Sequence, residues 1–242
     1  MDEAKIREHN QYNRRFYTDF GASFARQREY YWPSWYQFAQ QSPAATQDDP
    51  VRVTDIGCGS ARFALFWQTH VLAPVEFYTG MDISPVLLAV AEEQLASSEI
   101  AYELQEIDIV ERLLQHDFQL PPNTHVATLF GVLHHIPGKE TRQRLLQVLI
   151  QQLPPKGEIW LTIWNPGRVS GKKNRSALDL GNNDHLLGWQ HEVDAQRFVH
   201  WISAEEEASL LKSLSSVKVV ARWEVNTPGE RGNICLLLQK QA

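Results

Sequence analysis

The chain has 242 residues, a formal net charge of −6 and an apolar share of 43%. That length buries a substantial core in one large domain or one domain with additions, and the acidic balance argues against gripping nucleic acid through bulk charge. Two cysteines, Cys58 and Cys235, give no disulfide framework or metal spacing, and no leader or membrane-spanning window is visible, so a cytoplasmic protein without membrane association is expected.

Residues 1–45 read as an N-terminal helical cap rich in arginine and aromatic side chains, including Arg26 and Trp32. One helix is expected over Ala4 to Tyr17. A second runs from about Ser23 to Gln40, broken near Trp32-Pro33, because proline cannot donate inside a helix. The chain holds eight tryptophans, several in polar stretches, which suggests a stacking surface beyond the core. For any single one, packing under a loop is the simpler account. Ser42 to Pro50 is the linker into the main domain, 46–242.

From Val51 the pattern alternates strand and helix, as in an open parallel sheet. Val51–Ile56 is the first strand, followed by Gly57-Cys58-Gly59-Ser60-Ala61 and a helix to His70. Glycine lets bare backbone approach a ligand at the end of a parallel strand, although an ordinary tight turn explains such a loop about as well. Strands are expected at Glu76–Met81, Ala101–Glu106, His125–Phe130 and Gly157–Trp164. Ser84 caps a helix whose first residue is Pro85, and a further helix closes over Leu145 to Leu153. Asn165 to Asp184 reads as a polar loop carrying Arg168, Lys172, Lys173 and Arg175, within an insertion spanning about 165–202. Ser203 caps a helix through Leu214, and Val217–Val225 and Asn233–Lys240 end the chain as a strand pair at one sheet edge. The expected fold is α/β: a Rossmann-like, doubly wound, mostly parallel sheet of about seven strands.

Three later segments give the glycine loop its meaning. Asp82, with Ile83 beside it, ends the second strand, where a carboxylate accepts hydrogen bonds from ribose hydroxyls of a nucleotide-like ligand. Asp108, followed by Ile109, ends the third strand and is expected to face the base. Phe130-Gly131-Val132-Leu133-His134-His135-Ile136 follows the fourth strand at the carboxyl edge, where open sheets bind ligands. Adjacent histidines diverge and lack a third ligand, so no metal is expected there.

Asp55-Ile56-Gly57-Cys58-Gly59, the acids Asp82 and Asp108, and Gly131-Val132-Leu133-His134-His135-Ile136 together resemble the class I S-adenosylmethionine-dependent methyltransferases. Nicotinamide enzymes share the glycine loop but lack the Leu-His-His element. The resemblance implies an enzyme with S-adenosylmethionine as cofactor, held by Asp55, Gly57, Cys58, Gly59, Asp82, Ile83, Asp108, Ile109, Gly131 and Leu133. His125 stands where many relatives carry an acid at the start of strand four.

The flanks resemble a narrower group, the tRNA wobble-uridine carboxymethyl methyltransferases. Phe20-Gly21-Ala22-Ser23-Phe24-Ala25-Arg26 through Trp32-Pro33-Ser34-Trp35 carries that likeness. So do Leu161-Thr162-Ile163-Trp164, Asp184-His185-Leu186-Leu187-Gly188-Trp189, Arg197-Phe198-Val199-His200 and Gly232-Asn233. The chain departs from that group at Phe198, Val199 and Gly188. The resemblance implies methylation of a 5-carboxymethyluridine carboxylate in tRNA, with a small zinc-binding activator protein as a possible partner. A carboxylate is ionised at neutral pH and needs alignment more than a base. Arg197 is the candidate clamp, on a connection near the sheet's carboxyl edge, with His200 and His135 as hydrogen-bond donors. Arg26, Trp32, Trp164, Lys172, Lys173, Arg175 and Trp189 are the candidate substrate contacts. Two other readings are a small-molecule methyltransferase that uses no nucleic acid and a non-catalytic cofactor-binding relative.

Overall fold

A computed structural model describes residues 1–26, 30–164, 177–189, 192–227 and 230–241, without the side chains of residues 189 and 192–194. Ten strands are described: β1 (Val51–Ile56), β2 (Val75–Asp82), β3 (Tyr102–Glu106), β4 (Val126–Leu129), β5 (Glu158–Trp164), β6 (Ala177–Gly181), β7 (Asp184–Trp189), β8 (Glu192–His200), β9 (Val217–Val225) and β10 (Asn233–Lys240). The helices are α1 (Glu3–Arg26), α2 (Pro33–Gln41), α3 (Arg62–His70), α4 (Pro85–Leu95), α5 (Ile109–Leu114), α6 (Lys139–Gln152) and α7 (Ala204–Lys212), with a 3₁₀ turn over Leu133–His135.

Seven strands form the main sheet in the order β3-β2-β1-β4-β5-β10-β9. β1 pairs in parallel with both β2 and β4, while β10 runs antiparallel to β5 and β9. From β1 the chain winds outward through β2 and β3, then returns to build the other half from β4. The strand order reverses between β1 and β4, and their carboxyl ends open the crevice that such sheets use for ligands. β4 is buried at every position and β5 at all but Trp164, as strands covered on both faces must be.

Four elements differ from expectation. α1 is one continuous 24-residue helix rather than two. Gly21 is tolerated inside it because α1 approaches α4 there: a Cβ on Gly21 would lie 3.1 Å from Ser84 Oγ and 3.3 Å from Leu87 Cγ. Pro33 opens α2 instead of breaking a longer helix, since the first turn needs no donor there. α5 was not anticipated, although Asp108 caps it by accepting from Glu111 N at 3.1 Å. The fourth is a second sheet, β6-β7-β8, antiparallel throughout, where 177–181 was expected as loop. Asn182 and Asn183 join β6 to β7 with φ of 54° and 64°, the two-residue hairpin conformation that asparagine tolerates.

Most of the aromatic excess is core. Phe38 stacks on Trp160 at 5.3 Å, Trp160 on Trp67 at 5.1 Å, and Trp32 on Trp35 at 5.7 Å. α2 is thereby built into one face of the main sheet. α1 packs against β8 through His9, stacked on Phe198 at 4.6 Å. An ion network fastens the second sheet to the main domain. Arg142 on α6, with its side chain 2% exposed, donates through Nε and Nη2 to Glu206 Oε1 on α7, at 2.8 and 2.6 Å. His200 on β8 bridges Glu206 Oε2 and Asp184 Oδ1, both at 2.6 Å.

Candidate cofactor and acceptor site

The glycine loop is shaped by its neighbours. Gly57 N and Cys58 N both donate to Met81 O, at 2.7 and 3.0 Å, bending the chain back over β2. Gly57 has φ +71°, and a Cβ there would run into Val132 Cγ2 at 2.4 Å, so only glycine lets the two loops meet. Gly59 has φ +56°, and the position of its missing Cβ faces open space. Ala61, also left-handed at φ 56°, leads into α3, whose N-terminus has no side-chain cap. Uncapped N–H groups at a helix start favour an electron-rich ligand.

Asp82 stitches this loop together. Its Oδ2 accepts from Gly59 N and its Oδ1 from Ser84 N, each at 2.9 Å. Each oxygen keeps acceptor capacity for a ligand hydroxyl. Burial raises its pKa, against the opposing pull of the backbone donors. Asp55 sits behind the loop, taking hydrogen bonds from Tyr78 OH at 2.8 Å and from Thr128 Oγ1. Burial pushes its carboxyl up to about 6. Cys58 is buried, and burial lifts its thiol well above the ordinary value.

These residues line a cleft of about 300 Å³ between the carboxyl ends of β1, β2 and β4. Asp55, Gly57, Cys58, Gly59, Asp82, Ile83, Asp108, Ile109 and Gly131 all reach its wall. Leu133 does not: it is fully buried beneath the 3₁₀ turn, in the core packed on α6. Asp108 is shared between its capping role and Asn10, whose Nδ2 lies 2.9 Å from both carboxylate oxygens. Trp35 Nε1 is a buried donor with no hydrogen-bond partner among the described residues, and Trp35 lines the same cleft. An open backbone cradle, a carboxylate with spare lone pairs and an orphaned donor suit a nucleoside-bearing polar ligand.

The cleft also brings together residues from distant parts of the chain. Arg197 reaches the cleft from strand β8, not from a connection, with its guanidinium 5.0 Å above the Phe16 ring. Burial draws its pKa down from the ordinary value, yet a guanidinium stays charged at neutral pH. His135 reaches the cleft, whereas His200 is not among the lining residues. Both ring nitrogens of His200 are engaged by Asp184 and Glu206, so its place is in the network that anchors β8. Trp32 and Trp164 line the cleft, but Trp32 is mostly core and Trp164 Nε1 is bonded to Arg231 O at 3.0 Å. Arg26 is exposed at the end of α1, off the cleft wall. Lys172, Lys173, Arg175, Arg168 and the Trp189 side chain lie outside the described residues.

His125 belongs to the opposite end of the sheet. Its Nδ1 accepts from Arg52 N at 2.9 Å beside the start of β1, so the departure from relatives there leaves the glycine loop untouched. The rings of His134 and His135 lie 4.2 Å apart, and among the described residues no group of three or more side chains is placed to hold a metal ion. The sequence reading missed Asn10, Asn13 and Tyr17, which line the cleft from α1. Their spacing of three and four residues puts them on one helix face.

The methyltransferase-domain family model matches residues 24–214. A tRNA (carboxymethyluridine(34)-5-O)-methyltransferase of Arabidopsis thaliana is 24% identical over 153 residues, covering 63% of this chain. The match spans 32% of that relative's length. Among solved structures, an S-adenosylmethionine-dependent methyltransferase from Clostridium acetobutylicum superposes with a TM-score of 0.63 at 10% identity, covering 89% of this chain and 94% of that one. The S-adenosylmethionine-bound amino pentose methyltransferase CalS10 of Micromonospora echinaspora gives 0.60 at 15% identity, covering 93% and 97%. These structural likenesses establish the fold.

Proposed function

This chain belongs to the methyltransferase-domain family, and we propose that it transfers a methyl group from S-adenosylmethionine to the carboxylate of a 5-carboxymethyluridine at the wobble position of tRNA. The cofactor would be held by the Gly57–Gly59 backbone, with Asp82 on the ribose and Ile83, Asp108 and Ile109 around the base. When bound it supplies an electrophilic methyl on a positively charged sulfur. The chain's own task is then to present a nucleophile in line with that methyl and to exclude water.

The observation that carries the acceptor assignment is Arg197, a charged fork set into the cleft wall over Phe16. A guanidinium meets a carboxylate with two parallel hydrogen bonds and fixes its orientation without consuming its charge. The Arabidopsis relative, named for this reaction, supports the same choice. With a net charge of −6, contact with tRNA must be local rather than a broad basic face. A small zinc-binding activator is the proposed companion. A second reading, a small-molecule acceptor, is favoured by α1, whose Asn13 and Tyr17 roof the acceptor end.

Incubating the chain, alone and with the proposed activator, with tRNA and methyl-labelled cofactor, then analysing the nucleosides, tests the first reading. Label is expected in an alkali-labile ester on a wobble uridine, and unlabelled nucleosides would overturn it. Arg197→Ala is expected to lower single-turnover transfer at least tenfold, about 1.4 kcal/mol of transition-state stabilisation, with cofactor binding intact. Arg197→Lys should recover little, because an ammonium lacks the planar fork. Near-normal rates in both variants would remove Arg197 from the acceptor site.

A further inference from the structure

Just before β10 the chain makes a tight turn, Glu230-Arg231-Gly232-Asn233. Asn233 N donates to Glu230 O at 3.1 Å, which closes the four residues into a β-turn. Gly232 stands third with φ +83°, the left-handed backbone that a type II turn requires there and that glycine adopts without strain. Arg231 is left at the second position, on the exposed side of the turn.

Two attachments hold the turn in place. Glu230 is 1% exposed, and its carboxylate accepts from Ser34 N at 3.1 Å and from Ser34 Oγ. Ser34 lies in the first turn of α2, whose own N-cap residue gives no side-chain hydrogen bond, so a carboxylate from elsewhere suits the place. Arg231 O accepts from Trp164 Nε1 at 3.0 Å, tying the last residue of β5 to the same turn. Asn233 lies opposite Trp164 in the β5–β10 ladder, and both line the cleft. The backbone of Arg231 is thus pinned to a lining tryptophan, while its side chain is in solvent. Among the described residues its guanidinium makes no ion pair or hydrogen bond, so the turn is held without that charge.

We propose that Arg231 grips a phosphate of the acceptor nucleotide where it leaves the cleft beside Trp164, so that the site takes a nucleotide unit rather than a bare nucleoside. This rests on the uridine acceptor proposed above and adds the group next to it. A nucleotide is a base, a ribose and a phosphate in fixed succession, and the cleft, its Trp164–Asn233 rim and Arg231 are met in the same order. A phosphate keeps its negative charge at neutral pH, and a planar guanidinium meets two of its oxygens with parallel hydrogen bonds. A net charge of −6 repels RNA overall, so the contact has to be local. A cation carried on a turn fixed at both ends loses less freedom on binding than one on a loose segment.

Calorimetry on the full chain, saturated with S-adenosylhomocysteine, tests this without any methyl transfer. The probes are 5-carboxymethyluridine and its 5′- and 3′-monophosphates. One monophosphate is expected to bind about fivefold more tightly than the nucleoside at low salt, the upper worth of an exposed charge pair, and the gain should shrink as salt rises. Arg231→Ala should erase the gain and leave nucleoside affinity unchanged, which a merely structural loss would not do. Arg231→Lys should retain part of it, because an ammonium keeps the charge without the fork. With an RNA hairpin that carries the modified uridine, Arg231→Ala should flatten the dependence of log affinity on log salt by roughly 0.7–0.9, one phosphate's share. Equal wild-type binding of nucleoside and both monophosphates, or a phosphate gain that survives Arg231→Ala, would overturn this inference and leave the uridine reading standing. If none of the three probes binds, both are overturned.

Discussion

Glu206→Ala is expected to remove about 3–5 kcal/mol of folding stability, the usual cost of deleting one partner from a buried ion pair. Arg142 is the reason: its side chain is 2% exposed, and both Nε and Nη2 end on a single oxygen of Glu206. Deleting that oxygen strands a guanidinium in the interior and leaves His200 Nε2 without an acceptor. A domain of this size is usually stable by roughly 5–15 kcal/mol, so the loss is a large share of the total. Glu206→Gln retains one oxygen and should fall between the two.

The pH dependence carries its own signature. Burial by itself would raise Glu206, but hydrogen bonds and charges from His200 and Arg142 outweigh it and bring the carboxyl down to about 2. Its contribution is complete above the ordinary carboxylate value of about 4.5 and lost as pH falls toward 2. For His200, burial opposes the charged form, yet the hydrogen bonds to Asp184 and Glu206 prevail and raise its pKa. Its contribution is present below the ordinary histidine value of about 6.5 and lost as pH rises through the raised value. The network is therefore strongest between about pH 4.5 and 6.5. Urea unfolding of wild type and Glu206→Ala across pH checks this. A stability difference that is small, or equal at pH 2.5 and pH 6, would show that the network holds nothing together.

Asp82→Ala is expected to weaken S-adenosylmethionine binding about 30- to 150-fold, or roughly 2–3 kcal/mol, the range for hydrogen bonds to a buried charge. Two losses combine. The ribose hydroxyls would lose their acceptor, and Gly59 N would lose the carboxylate that holds the loop in its left-handed turn. Asp82→Asn should rescue little, because one oxygen becomes a donor facing a backbone N–H that itself donates. Since burial raises the Asp82 pKa, affinity in wild type should decline as acidification protonates it. Calorimetry on folded protein decides the matter. Unchanged affinity in Asp82→Ala would take the residue out of the site.

Local physics made much of the glycine-loop wall of the cleft readable in advance. A β-branched run ending in Asp55, glycines at 57 and 59, and an acid at the end of the next strand are consequences of chain geometry within short windows. β1, α4, β9 and β10 have the expected bounds, since period, a serine cap and a proline at the first helical position are signals a few residues long. Leu133 was misplaced because the 3₁₀ turn after β4 sends it into the core while Gly131, Val132, His134, His135 and Ile136 line the cleft, and the local sequence does not say which residue turns inward.

The wall of the cleft around Arg197 was decided by tertiary structure. Arg197 faces the cleft because β8 pairs with β7 and packs against α1, contacts that join residues far apart in the chain. Identical local sequence on a connection would have left it in water. His200 looked like a site residue until the fold supplied Asp184 from one strand and Glu206 from a helix to close both its nitrogens. Asn13 and Tyr17 were not among the expected site residues, and they reach the cleft because α1 lies across the crevice and meets His135, more than a hundred residues away. Hydrophobic period and turn chemistry act over a few residues and determine which elements form. Which polar side chains share a cavity depends on long-range packing, and a single sequence holds no local trace of that.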